Sequence, residues 1–163
     1  MLPRRFLLLA LVLFAIGGAV VYQYNKYRVA PEINFQELQL SNISGQTVSI
    51  TNATTDYVLV CFFGTWCGSC ISEVPSLETL VANQTNISVW LVSDEQPERL
   101  SKFQQTHPTL QILQLARPLS EINIHTVPTA YLLNKSGDVL LKKVGEIDWS
   151  TDAKLLSSIG VAR

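Results

Sequence analysis

The sequence predicts an α/β domain with a mixed central sheet covered by helices on both faces. Three observations predict it. Short apolar runs alternate with helix-spaced segments through the middle of the chain. A hairpin signal closes it, with Asn134-Lys135-Ser136-Gly137 between Thr129–Leu133 and Val139–Val144. The buried-looking run Tyr57–Phe63 passes through Gly64 into Cys67-Gly68-Ser69-Cys70 and then into a helical pattern. At 163 residues there is room for one such domain and little more.

In chain order, Phe6–Tyr22 comes first. It is an unbroken run without a charge, preceded by Arg4 and Arg5. Its length is near the lower limit for crossing a bilayer as a helix. It reads as one N-terminal transmembrane helix. A cleaved signal peptide is the alternative, because Ala15, Gly17 and Ala19 would allow a cleavage site. Apolar character continuing through Val20, Val21 and Tyr22 argues for the anchor. Residues 1–28 are therefore assigned to anchor (or signal peptide) and spacer, and residues 29–163 to the folded domain.

Charge is divided between these parts. Arg4, Arg5, Lys26 and Arg28 give the first 28 residues +4, while the remaining 8 Lys and Arg against all 13 Asp and Glu leave −5. An acidic domain has no electrostatic footprint for nucleic acid. The leading Arg pair orients the helix with its N-terminus inside and the domain outside. That predicts a single-pass protein of the inner (cytoplasmic) membrane, with its domain in the periplasm or extracytoplasmic space.

Within the domain, Ile33–Leu40 and Gln46–Thr51 read as an N-terminal β-hairpin with its turn at Asn42–Gly45. Tyr57–Phe63 is a central strand, apolar on both faces. The helix after it runs to about Ala82, with Pro75 inside and a kink expected there. Ile87–Val92 is a buried strand. Pro97 opens a helix that ends near His107-Pro108. Leu110–Leu115 is a short strand and Pro118–Ile122 a short helix. Ser150 or Thr151 caps a last helix that stops at Gly160.

The chemistry lies in Cys67 and Cys70. A strand that turns into a helix at Cys-x-x-Cys places the first thiol at the helix N-terminus. Unpaired N–H groups and the helix dipole there favour a thiolate. The thiolate is the nucleophile in disulfide exchange, and the second cysteine, one turn along, can resolve the mixed disulfide. Half of a zinc site is the competing reading, but no second Cys-x-x-Cys or paired histidine supplies the other ligands. No metal ligand and no cofactor is assigned. His107 and His125 are isolated and read as loop or packing residues.

Four features together resemble the thioredoxin superfamily, and within it the membrane-anchored TlpA/ResA-type thiol–disulfide oxidoreductases. They are Ala30-Pro31-Glu32-Ile33, Trp66-Cys67-Gly68-Ser69-Cys70, the continuation through Glu73 and Pro75, and Val127-Pro128-Thr129. The resemblance spans roughly residues 30–159. It implies a thioredoxin-like fold and a redox-active Cys67–Cys70 disulfide. It also implies a cis Pro128 beside the sulfurs, with Val127 backbone groups pairing a substrate peptide. Glu73 would trade the proton that Cys70 gives up or takes, and Trp66 would form an apolar flank of the substrate site.

Two departures from the pattern matter. Ser69 stands where many relatives have proline, adding an N–H and a hydroxyl near the sulfurs. Cys61 stands where thioredoxin has a buried acid on the same strand, which gives Glu73 more weight. Cys61 itself reads as a core thiol.

The function expected is disulfide exchange with protein thiols or disulfides outside the cytoplasm, coupled to a membrane reductase or oxidase. Reducing apocytochrome c is one role the resemblance permits. A copper- or metal-handling thioredoxin-like protein is the alternative, since soft thiolates hold Cu(I). Against it, Met1 is the only methionine and neither histidine has an evident partner.

Overall fold

Alternation along an all-apolar strand divides the core into two. In the computed structural model, which describes residues 4–160, the strand Tyr57–Phe62 is β3. Successive side chains on a strand point to opposite faces. Leu59, Cys61 and, just past the strand, Phe63 therefore enter one core, while Val58, Val60 and Phe62 enter the other.

The remaining strands are β1 (Leu40–Asn42), β2 (Thr47–Val48), β4 (Ile87–Ser93), β5 (Gln111–Leu115), β6 (Thr129–Asn134) and β7 (Val139–Val144). They form one sheet in the order β2-β1-β5-β4-β3-β6-β7. β3, β4 and β5 run parallel, and β1, β6 and β7 pair antiparallel, so the sheet is mixed as the sequence predicts. The helices α2 (Gly68–Asn83), α3 (Pro97–Thr106) and α4 (Ala153–Ser158) pack on the Cys61 face. Short 3-10 helices at Phe35–Glu37, Ile50–Asn52 and Leu119–Ile122 cover the other.

α2 continues through Pro75, which does not end it. The turn at Asn42–Gly45 forms as expected. Gly45 takes the positive φ of 80° that favours glycine, and Asn42 Oδ1 accepts the N–H groups of Ser44 and Gln46.

Three local assignments change. The predicted strand Ile33–Leu40 gives way to a 3-10 turn, because Asn34 Oδ1 accepts the Gln36 N–H at 3.2 Å and its amide donates to Glu37 at 2.7 Å. The second hairpin strand shortens to Thr47–Val48, and Ile50 is buried from a 3-10 turn instead. The cap of α4 is Asp152, whose Oδ1 accepts the Leu155 N–H at 2.8 Å. Ser150 is taken up by Asp148, to which its hydroxyl donates at 2.6 Å.

The N-terminal helix α1 spans Arg4–Arg28. Its window Leu8–Asn25 is long and apolar enough to cross a membrane, and none of that window is buried against the domain. The side chains of Arg4, Lys26 and Arg28, on which part of the basic flank rests, lie outside the described residues. The Val29 N–H still donates to Asn25 O, and two residues later Pro31 O accepts the Tyr131 hydroxyl at 2.8 Å. Only Val29 and Ala30 separate the helix from a residue fixed to the sheet.

Candidate active site

Cys67 sits at the start of α2, as its N-cap. Its sulfur and that of Cys70 are at disulfide distance, with Cα atoms 5.2 Å apart. The Cys70 N–H, which also donates to Cys67 O at 3.1 Å, reaches Cys67 Sγ at 3.3 Å, so one N–H at the helix start faces the first sulfur. Ser69 Oγ lies 3.3 Å from the same sulfur. Cys67 is 7% exposed and Cys70 3%, which leaves Cys67 the more accessible.

The Val127–Pro128 bond is cis. This turn brings the Val127 carbonyl to 3.7 Å from Cys67 Sγ. Pro128 O in turn accepts the Gly145 N–H at 2.9 Å. Trp66 is 71% exposed beside Cys67. The structure therefore brings Trp66, Cys67, Cys70, Val127 and Pro128 to one place.

Glu73 lies one turn past Cys70 and is 3% exposed. Its partners come from the segment after β7. Gly145 adopts a φ of 93°, a left-handed conformation suited to glycine, and the chain turns there toward α2. The Ile147 N–H then donates to Glu73 Oε1 at 2.6 Å, and the Trp149 N–H donates to Ser76 Oγ at 3.2 Å. Burial pushes the Glu73 carboxyl up to about 7, and the charge of Glu146 adds to the rise. The Ile147 N–H and the nearby Trp149 indole act the other way. The indole nitrogen closes no hydrogen bond, although it is buried.

Cys61 is buried on β3, between Leu91 of β4 and Ala130 of β6. Its thiol is raised well above the ordinary range, first by burial and then by the charge of Glu73. A buried thiol held in its protonated form is a poor nucleophile at neutral pH. Among the described residues no three of His, Cys, Asp and Glu converge as metal ligands. His107 belongs elsewhere, with Nδ1 3.1 Å from Glu78 Oε1.

The sequence profile of the AhpC/TSA family matches residues 29–142. The chain belongs to that family. Among its relatives, the thioredoxin-like protein YneN of Bacillus subtilis is 29% identical over 140 residues, covering 80% of this chain and 82% of that protein. The thiol-disulfide oxidoreductase ResA of Geobacillus thermodenitrificans is 26% identical over 147 residues, covering 85% and 84%. The crystal structure of StoA from Bacillus subtilis superposes with a TM-score of 0.56 at 20% identity, over 72% of this chain and 92% of that one. A thioredoxin-like protein from Aeropyrum pernix gives 0.59 at 18%, over 91% and 97%. The fold is thus thioredoxin-like. Relatives of this AhpC/TSA chain are named thiol-disulfide oxidoreductases, and it carries a cysteine pair at disulfide distance.

Sequence reasoning missed the residues around Glu73. Ile147 contributes only its backbone, which no side-chain pattern reveals. Trp149 left a faint signal, as a large aromatic just outside any predicted element. The profile match ends at residue 142, before this segment.

Proposed function

We propose that the chain exchanges disulfides with protein substrates outside the cytoplasm, with Cys67 as nucleophile, Cys70 as resolving thiol and Glu73 as proton carrier. The observation that carries this reading is the Cys70 N–H directed at Cys67 Sγ over 3.3 Å at the start of α2. It stabilises a thiolate on the first sulfur.

In the reducing direction, the Cys67 thiolate attacks one sulfur of a substrate disulfide. The substrate S–S bond breaks and its other sulfur leaves as a thiolate. Cys70 then gives its proton to the Glu73 carboxylate and attacks Cys67 Sγ. The mixed disulfide breaks, the second substrate sulfur leaves, and the Cys67–Cys70 disulfide forms. A group titrating near 7 is well placed to take and return that proton at neutral pH. Running the steps backwards oxidises a substrate dithiol.

The Val127 carbonyl beside Cys67 offers an acceptor for a substrate backbone N–H, and Trp66 an apolar face beside it. α1 would hold the domain at the membrane, where a membrane reductase or oxidase would reset the couple. Export of the domain rests on Arg4 and Arg5, the basic pair that opens α1 ahead of its apolar run.

Trapping tests the assignment. Cys70→Ser should accumulate mixed disulfides with substrates under non-reducing conditions, and Cys67→Ser should trap none. The opposite pattern would reverse the roles and remove the helix-start argument.

A further inference from the structure

The residues just ahead of Cys67 are held by a carboxylate from a different loop. After β3 the chain makes one tight turn, in which the Cys67 N–H donates to Gly64 O at 3.0 Å. Thr65 and Trp66 lie inside that turn. Glu95, between β4 and α3, grips it with both oxygens. Oε2 accepts the Thr65 backbone N–H at 2.6 Å, and Oε1 accepts the Thr65 hydroxyl at 2.8 Å.

The grip is itself braced. The Glu95 N–H donates to Ser93 Oγ at 3.2 Å, Arg99 Nη1 donates to Oε1 at 3.3 Å, and Gln114 Nε2 donates to the Glu95 carbonyl at 3.2 Å. The Glu95 side chain is only 9% exposed. Burying a carboxylate is costly unless it is fully hydrogen-bonded, and charge-assisted bonds of this kind are the strong ones. Here they converge on a single turn.

That turn carries Trp66. A Cβ placed on Gly64 would come within 2.7 Å of the Trp66 ring, so the indole folds back directly over the glycine. Its other face is open beside Cys67. Gly64 gives the ring a seat, and Thr65 is the only residue between the two.

We propose that Glu95 is a positioning residue for substrate docking: by clasping Thr65 it fixes the Gly64–Cys67 turn and presents the Trp66 face at a set place beside the attacking sulfur. The proposal rests on the disulfide-exchange reading. Glu95 has no hydrogen bond to either sulfur, so the thiolate at Cys67 remains governed by the α2 N–H groups. Loss of Glu95 should therefore raise KM for a protein disulfide more than it lowers kcat.

The test compares the full-length wild type with Glu95→Ala, Glu95→Gln and Thr65→Val. It measures kcat and KM for insulin reduction with dithiothreitol as reductant, the rate with hydroxyethyl disulfide, and the pH profile of Cys67 alkylation. Iodide quenching of tryptophan fluorescence adds a readout independent of turnover. Trp90 and Trp149 are buried, so quenching reports Trp66.

For Glu95→Ala the expected result is a rise of about tenfold in insulin KM, equivalent to about 1.4 kcal/mol of lost docking. The quenching constant should change, while the alkylation profile and the small-disulfide rate stay as in the wild type. Glu95→Gln keeps one acceptor oxygen and should fall between. Thr65→Val removes one of the two bonds and should shift the same quantities less, which keeps the test open if Glu95→Ala does not fold. Unchanged insulin KM and unchanged quenching in folded variants would overturn the proposal. So would an equal loss on both substrates with a shifted alkylation profile, because Glu95 would then act on the sulfur. If the wild type turns over neither disulfide, the exchange reading has failed, and the quenching arm still decides whether Glu95 fixes Trp66.

Discussion

The Ile147 N–H donates to Glu73 Oε1 at 2.6 Å, joining two residues 74 positions apart in the chain. The loop after β7 thus closes over the Glu73 carboxylate, one turn past Cys70. It shields that carboxylate from water and supplies a backbone donor. Burial outweighs the donor, so the group holds its proton up to about 7.

This has a consequence for stability. The folded state binds the Glu73 proton more tightly than the unfolded chain, whose carboxyl titrates near 4.5. Stability from this group is therefore full below pH 4.5 and falls as pH rises towards 7. Glu73→Gln keeps the acceptor for Ile147 and removes the charge. At pH 8 it should be more stable than the wild type by on the order of 2 kcal/mol, and the gap should close near pH 4.5. Urea denaturation at both pH values measures it. A gap independent of pH would mean that Glu73 ionises normally.

Trp149 should tune the same carboxylate. Its indole favours the charged form from nearby, without closing a hydrogen bond. Trp149→Phe removes the N–H, so the carboxyl should titrate higher. The pH midpoint for closing the Cys67–Cys70 disulfide from a mixed disulfide should rise with it. A midpoint that moves down would show that the indole does not favour the carboxylate's charged form.

Cys61→Ala should cost about 1–2 kcal/mol, because it removes a buried sulfur from a packed strand. Disulfide turnover per folded molecule should be unchanged. Thermal melts beside turnover assays separate these two effects. Lost turnover in a folded variant would require Cys61 to take part in sulfur exchange.

The full chain should fractionate with membranes and come off only with detergent. N-terminal sequencing of the membrane-bound protein should show that the segment 6–22 is retained. A soluble product beginning after Ala19 would replace the anchor with a cleaved signal.

The sheet was readable where strands are long and buried. Tyr57–Phe62, Ile87–Ser93 and Thr129–Asn134 follow their apolar runs within a residue or so. The N-terminal hairpin was readable at its turn and its antiparallel pairing, but not in the extent of its strands, because Asn34 and Ser49 lead into 3-10 turns that short alternating patterns do not reveal. The same limit holds at the site. Cys67, Cys70, Glu73 and Pro128 carry a pattern in sequence, and the structure gathers them. Glu95 and Ile147 join them only through long-range contacts. Glu95 sits just past a buried parallel strand, where loops of such sheets gather around sites, and that position is the one hint it left.

The join at Val29 and Ala30 is a leash of two residues. Extended, it spans about 7 Å. Were α1 seated in a bilayer, so short a join would hold the domain close above the lipid rather than let it explore a wide volume of solvent. Encounters would then become a matter of what diffuses along the surface. Under that anchoring the sulfur of Cys67 would be confined to two dimensions, and a partner fixed in the same plane would meet it at a far higher local concentration than one arriving from solution.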